Sequence, residues 1–169
     1  MSNRDRTTRW IGAAGAAMLS LQLPATVLAA EPERPHGGTC STVVTPISPP
    51  GVFPQELRID SDCRLTHLGH ASGQTTQYVI PAGPPGATIP LLISNTTVYR
   101  AANGDLLNMS FVGTGQLDPV TGEVTFVGTE TYLGGTGRFA NATGSATAQG
   151  SASIFTNLGT FTVKGRIAY

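Results

Sequence analysis

The chain has little charge and little sign of helix, and both shortages restrict what it can be. Charged residues make up 12% of the 169 residues, and ten Lys and Arg balance ten Asp and Glu. A neutral chain lacks the basic surface that attracts nucleic acid or anionic membranes, so we expect neither as a partner. After residue 30, apolar residues do not recur at helical spacing over three turns. The frequent Gly, Thr, Ser and Val instead favour strands and turns.

The first thirty residues differ from the rest. Arg4, Arg6 and Arg9 precede an uncharged stretch, residues 10–30, that ends in small residues. This order is typical of a signal peptide, with cleavage expected after Ala29 or Ala30. The alternative is a retained transmembrane anchor, but the segment is Ala- and Gly-rich and interrupted by Pro24. We therefore predict export, to the extracellular space or a periplasm.

Cysteine is also scarce, with only Cys40 and Cys63 in the chain. An even number in an exported protein predicts a disulfide, which would close a loop of 22 intervening residues. Two reduced thiols are the alternative. Neither cysteine has a His or Cys at ligand spacing, so we expect no metal site.

Prolines and turn residues divide the remaining chain. Residues 31–55 hold six prolines and are interpreted as an extended arm, with one short strand near Ser41–Thr45. From residue 56 onward, turns separate strand-forming segments, and Asn103-Gly104 is the strongest hairpin signal. The predicted strands are Arg64–Gly69 (with a continuation back to Leu57 left open), Gln74–Ile80, Thr88–Arg100, Leu106–Gln116, Glu123–Leu133, Thr143–Thr156 and Thr160–Tyr169.

Two of these segments alternate clearly between apolar and polar residues, in 123–133 and 160–169. Alternation with a period of two indicates strands with one packed face and one solvated face. Seven or eight such strands joined by short turns suit an antiparallel meander, and closing it into a barrel removes both exposed edges. The sequence therefore predicts an all-β domain over residues 56–169, with an antiparallel closed barrel as its architecture.

One motif goes beyond a generic β pattern. Gly134-Gly135-Thr136-Gly137-Arg138-Phe139, followed by Ala142-Thr143-Gly144, resembles a signature of the dirigent and allene oxide cyclase-like barrel families. Thr66-His67-Leu68-Gly69 resembles an element of exported bacterial members. The similarity covers about residues 100–169. It implies an eight-stranded antiparallel barrel with a largely apolar cavity, no metal or organic cofactor, and the dimers or trimers common in these families, so a homo-oligomer is an expectation.

The same resemblance implies an activity. Dirigent proteins steer radical coupling or cyclise bound intermediates, and allene oxide cyclase closes a ring on an unsaturated fatty-acid epoxide. In both, the barrel mainly holds a flexible substrate in one conformation. This chain has Thr143 where dirigent proteins usually carry an Arg of the cavity, so the implied fold is better supported than the implied activity.

Glu130 is the first candidate for a functional residue. It is in phase with Val124 and Phe126, so an inward face would make it a buried carboxylate with a raised pKa, suited to general acid catalysis. The alternative is a solvated carboxylate or a partner of Arg138. His67 is the second candidate, as a proton donor to the cavity or as a structural histidine.

We expect the cavity to be lined by Phe111, Phe126 and Tyr132. Two functions remain open. The first is a secreted barrel that binds a small apolar ligand without catalysis, and the alternative is a cofactor-free cyclase or isomerase. A lumen lined only by uncharged residues would favour binding, whereas an inward Glu130 near a Tyr or His would favour chemistry.

Overall fold

Eight β-strands form nearly all of the chain that the structure describes. The structure is a computed structural model that describes residues 31–169. The predicted signal peptide, residues 1–30, lies outside the described residues. The strands are β1 Arg34–Pro46, β2 Gln55–Leu65, β3 Gly69–Pro81, β4 Ile89–Arg100, β5 Leu106–Leu117, β6 Glu123–Gly135, β7 Thr143–Ser153 and β8 Leu158–Ala168. A short 3-10 helix, Gly137–Phe139, lies between β6 and β7. Within residues 31–169, no helix is long and apolar enough to cross a membrane.

Each strand pairs antiparallel with its neighbour in the chain, and β1 pairs with β8, so the sheet closes into a barrel. The predicted all-β class and the eight-stranded closed antiparallel barrel are confirmed. Alternation sets the two faces, as β6 illustrates: Phe126, Glu130 and Tyr132 are turned inward, while Thr125 and Thr129 are exposed. Closure pairs every strand on both sides and leaves no open edge.

The predicted proline-rich arm requires a correction, because most of it belongs to the barrel. Residues 34–46 form β1, which pairs with β2 on one side and β8 on the other. Pro35 and Pro46 lie near the two ends of this strand, where a missing N–H interrupts the ladder least. The intervening residues 36–45 contain no proline and alternate as a strand. The domain boundary therefore lies at about Arg34 rather than at residue 56.

The predicted disulfide between Cys40 and Cys63 is confirmed. The two residues are directly opposite in the β1–β2 ladder, and both side chains are buried inside the barrel. The bridge indicates a non-reducing environment of the extracellular type.

Removing this bridge should measurably destabilise the barrel. On the chain-entropy model, a loop of this length contributes about 3 kcal/mol to the free energy of unfolding. We expect the double variant Cys40→Ala/Cys63→Ala to lose about that amount in a denaturant titration at neutral pH. The same titration of the wild-type protein with and without reductant gives the control, since reductant should act on the wild type alone. Identical midpoints for the reduced and oxidised wild type would contradict the prediction.

The two ends of the barrel differ. At one end, Leu68, Leu107, Phe139 and Ile167 are fully or almost fully buried and close the interior. At the other end, the β1–β2, β3–β4, β5–β6 and β7–β8 loops surround an opening. The interior is therefore a cup with a closed floor and an open mouth.

Candidate functional site: the barrel cavity

The interior of the barrel holds a cavity of about 530 Å³ that opens between the mouth loops. Sites for small molecules span roughly 300–1,000 Å³, so the volume suits one small ligand. All eight strands line it, and most lining side chains are apolar. Around the mouth, Pro46, Phe53 and Ile154 supply apolar surface, and Phe53 and Ile154 are more than half exposed.

Three aromatic rings form one wall. Phe111 of β5, Phe126 of β6 and Phe161 of β8 line the cavity, with ring centroids 6.3 Å apart for Phe111–Phe126 and 6.4 Å for Phe126–Phe161. Glycine creates the room for Phe111, because a Cβ at Gly113 or Gly128 would lie 2.6 or 2.5 Å from the end of its ring. Phe111 and Phe126 were both expected to line the cavity, and both lie in this wall.

Tyr132 does not fit the expectation. It points inward and is buried, but it lies two residues below Glu130 towards the closed floor and is not among the residues that line the cavity. Its ring packs edge-on against His36, with centroids 5.3 Å apart. Its inward direction follows from the β6 alternation, whereas its depth depends on how far the floor rises inside the barrel.

Glu130 reaches the cavity and is 1% exposed. Burial raises the pKa of its carboxyl group to about 7, because a charged carboxylate is poorly solvated there. Its Oε2 has no hydrogen-bond partner in residues 31–169, and neither does the buried hydroxyl of Tyr132. At neutral pH a substantial fraction of Glu130 is therefore protonated and can donate a hydrogen bond to a bound molecule.

Two tyrosines lie close enough to Glu130 to respond to its charge. Burial, followed by the Glu130 carboxylate, raises the pKa of Tyr99 and of Tyr132 above the usual value. Tyr99 lines the cavity beside Glu130, and its ring covers Gly73 of the neighbouring strand. Both hydroxyls stay protonated, so Tyr99, the one of the two that lines the cavity, offers a neutral donor beside Glu130.

His67 lies elsewhere, so its predicted role in the cavity is not supported. It occupies the β2–β3 turn at the closed end, with φ of 69°, and its Nε2 donates to the carbonyl oxygen of Pro35 at 2.9 Å. Its ring stacks on His36 and meets Tyr169 edge-on. His67 is not among the residues that line the cavity.

His36 was not identified from the sequence. It is the first inward residue of β1 and is 4% exposed. Burial, and then the neighbouring His67, lowers the pKa of His36 to about 4, although a hydrogen bond with Thr66 acts in the opposite direction. His36 is therefore neutral at physiological pH and acts as a packing partner of Tyr132. It was missed because its segment was interpreted as an arm.

The glycine-rich motif builds the floor. Gly137 has φ of 55°, and a Cβ there would collide with the Asp105 carboxylate, so a larger residue would strain this turn. Gly134 and Gly135 end β6, and a Cβ at Gly135 would strike the carbonyl of Leu106. The turn places Phe139 at 0% exposure under the barrel.

Arg138 secures this turn from outside. Its Nε lies 3.7 Å from Asp105 Oδ2, and its guanidinium donates to the carbonyl oxygen of His67. Arg138 therefore does not pair with Glu130, and it joins three loops of the closed end instead of binding its own loop. The side chains of the motif are structural, and none of them lines the cavity.

The described residues contain no group of three or more His, Cys, Asp or Glu that would hold a metal ion. His70 instead pairs with Asp62 on the outer surface at 2.8 Å. The chemistry available in the cavity is that of one carboxyl group, tyrosine, threonine and serine hydroxyls, and side-chain amides.

Polar residues on β3 and β4 were also missed by the sequence analysis. Thr75, Gln77, Asn95 and Thr97 all line the cavity, and Thr75 and Thr97 are buried. The sequence of β4 contains a pattern that could have identified them. Asn95 and Thr97 follow Leu91 and Ile93 at spacings of two, which places polar and apolar side chains on one inward face. An inward face that changes from apolar to polar indicates that the strands surround a cavity rather than a solid core.

Fold and site together define a closed eight-stranded antiparallel barrel with a one-ended, mainly apolar cavity and a buried carboxyl group at its inner end. The chain matches no protein-family model, and a search of curated proteins finds no significant match.

The ionisation of Glu130 should be visible in the stability of the protein. Between pH of about 4.5 and 7, the unfolded chain has lost this proton while the folded chain keeps it, so the Glu130 contribution to stability falls as pH rises. We expect the wild type to lose about 3 kcal/mol relative to Glu130→Gln across this window. Denaturant titrations of both proteins at several pH values measure the difference.

The comparison with Glu130→Gln is necessary because His36 acts in the opposite direction. The lowered pKa of His36 makes the free energy of unfolding rise with pH between about 4 and 6.5. This rise masks the Glu130 effect when the wild type is measured without the variant. Glu123→Gln, an exposed site on the same strand, is the matched control. Parallel stability curves for the wild type and Glu130→Gln would show that Glu130 titrates normally.

Proposed function

We propose that this protein is a secreted barrel that binds one small apolar molecule in its cavity. The observation that carries the proposal is the cavity of about 530 Å³, lined mainly by apolar side chains and open at one end. A barrel selected only for stability would fill this space with side chains, because empty apolar volume costs stability. Release to the extracellular space or a periplasm is supported by the Cys40–Cys63 bridge and by the signal-peptide pattern of residues 1–30.

Binding is tested with N-phenyl-1-naphthylamine, an uncharged fluorophore whose emission rises in apolar surroundings. The oxidised protein without residues 1–30 should give saturable binding at one site per chain. Emission that rises linearly without saturation would mean that the dye only adsorbs to the exposed apolar residues of the outer surface, and the proposal would be abandoned.

A second function, cofactor-free cyclisation or isomerisation, is favoured by one specific observation. Glu130 faces the cavity with a pKa of about 7, beside the protonated hydroxyl of Tyr99. A neutral carboxyl group in an apolar cavity can donate a proton to an oxygen atom of a bound molecule and take it back after rearrangement. The walls would hold the flexible substrate in one conformation, as the resemblance to the dirigent and allene oxide cyclase-like barrels implies.

A further inference from the structure

The cavity wall formed by β3 and β4 carries a connected set of polar side chains, which we call the amide wall: Thr75, Gln77, Asn95 and Thr97. The four residues lie at adjacent positions of the β3–β4 ladder, where Thr75 opposes Thr97 and Gln77 opposes Asn95. The aromatic wall of β5, β6 and β8 lines the other half of the barrel. The cavity therefore has a polar patch within its β3–β4 side and phenylalanine rings on other strands.

The four side chains of the amide wall are joined by hydrogen bonds. Thr75 and Thr97 share a bond of 2.7 Å in which either hydroxyl can donate, and Asn95 Oδ1 lies 3.4 Å from the Thr97 hydroxyl, where it can only accept. Asn95 Nδ2 then donates to Gln77 Oε1 at 3.3 Å. Each amide oxygen in the set therefore has one hydrogen-bearing polar neighbour within 3.4 Å.

Unfilled lone pairs on oxygen are tolerated more readily than unpaired N–H groups, so the amide N–H groups are the ones that require a partner. An amide nitrogen carries two hydrogens, so Asn95 keeps one N–H and Gln77 keeps two. In residues 31–169 the Gln77 amide nitrogen has no protein partner. Asn95 and Gln77 are half-buried and line the cavity. A ligand oxygen that accepts a hydrogen bond would satisfy these N–H groups, whereas a ligand N–H or a plain hydrocarbon would leave them unpaired.

We infer that the ligand has an apolar body with an acceptor oxygen, such as a carbonyl or ether oxygen, on the edge that faces Asn95 and Gln77. The opposite surface of the ligand packs on the aromatic wall. This inference rests on the proposed binding function and specifies the chemical class of the ligand. The amide wall determines specificity, and the aromatic wall supplies contact area that any apolar molecule of suitable size can use.

Three tricyclic probes of nearly the same shape test this inference. Fluorene has no polar group, 9-fluorenone has a carbonyl acceptor, and carbazole has an N–H donor at the corresponding edge. We expect the wild type to bind 9-fluorenone roughly three- to tenfold more tightly than fluorene, because one hydrogen bond is gained. Carbazole should bind no more tightly than fluorene. Competition against N-phenyl-1-naphthylamine measures all three affinities.

The variant Gln77→Leu/Asn95→Leu locates the effect. It should remove the preference for 9-fluorenone while still binding fluorene, and retained fluorene binding shows that the barrel is folded. Thr96→Val, an exposed neighbour of Asn95 on β4, is the matched control and should keep the preference. Loss of the preference in Glu130→Leu with its retention in the double variant would show that Glu130 donates to the ligand oxygen and would overturn the inference.

The outcomes distinguish the inference about the amide wall from the proposed binding function. Equal binding of all three probes would overturn the inference about the amide wall and leave the proposed binding function standing. If none of the probes binds and the naphthylamine also fails, both are rejected.

Discussion

Replacing Ala148 with tryptophan should weaken the binding of N-phenyl-1-naphthylamine nearly a hundredfold. Ala148 lies on the inward face of β7, is 2% exposed and lines the cavity. An indole at this position would occupy the middle of the space that the proposed ligand uses. Denying the probe about 100 Å² of apolar contact costs about 2.5 kcal/mol, which corresponds to that change in affinity.

The control for this variant is the adjacent residue. Thr147 points outward on the same strand and is exposed, so Thr147→Trp should leave the affinity unchanged. Overpacking at Ala148 costs about 1–3 kcal/mol, and thermal unfolding shows whether the barrel survives it. If it does not, Ala152→Trp offers a half-buried lining site nearer the mouth. Wild-type affinity in a folded Ala148→Trp protein would mean that the probe does not bind in the cavity.

Glu130→Gln should lower any cyclase or isomerase turnover at least a hundredfold while leaving probe affinity within about twofold. The loss is within the usual contribution of a positioned general acid, about 10²–10⁴. Glutamine keeps the size of the side chain but has no acidic proton to transfer. The assay follows an unsaturated fatty-acid epoxide, the substrate type that the resemblance implies, by chromatography of its products with and without protein.

The pH dependence gives an independent check on this role. Because the acid form of Glu130 would be the active one and its pKa is about 7, turnover should fall as pH rises through neutrality. Glu123→Gln, on the same strand but exposed, should retain full activity. If the wild type converts the epoxide no faster than buffer, the enzymatic alternative is rejected, and the binding function is unaffected. Unchanged turnover in Glu130→Gln would reject Glu130 alone.

Local sequence predicted most of the strands because local chemistry decides them. The Asn103-Gly104 turn, the glycines after Leu133 and the alternation in 123–133 each specify structure within a few residues. Observed bounds agree to within a few residues for β4, β5 and β6. Two segments were predicted wrongly. In residues 31–55, proline content outweighed the alternating run from His36 to Thr45, although the prolines lie before the strand, near its ends and in the loop that follows. The predicted strand Arg64–Gly69 is the end of β2 and the turn into β3, and β2 itself begins at Gln55.

The sequence by itself determined that this chain is an antiparallel β protein, that Cys40 pairs with Cys63, and that Glu130 shares a face with Phe126. Only the tertiary structure decided how deep each inward side chain lies. Alternation assigns a residue to one of two faces, but barrel closure staggers the strands and sets which inward residues share a level. That stagger places Glu130 in the cavity and Tyr132 in the floor, although both lie on one face of β6. The register of the β3–β4 pair aligns Gln77 with Asn95, 18 residues apart, so that their amides meet inside the barrel.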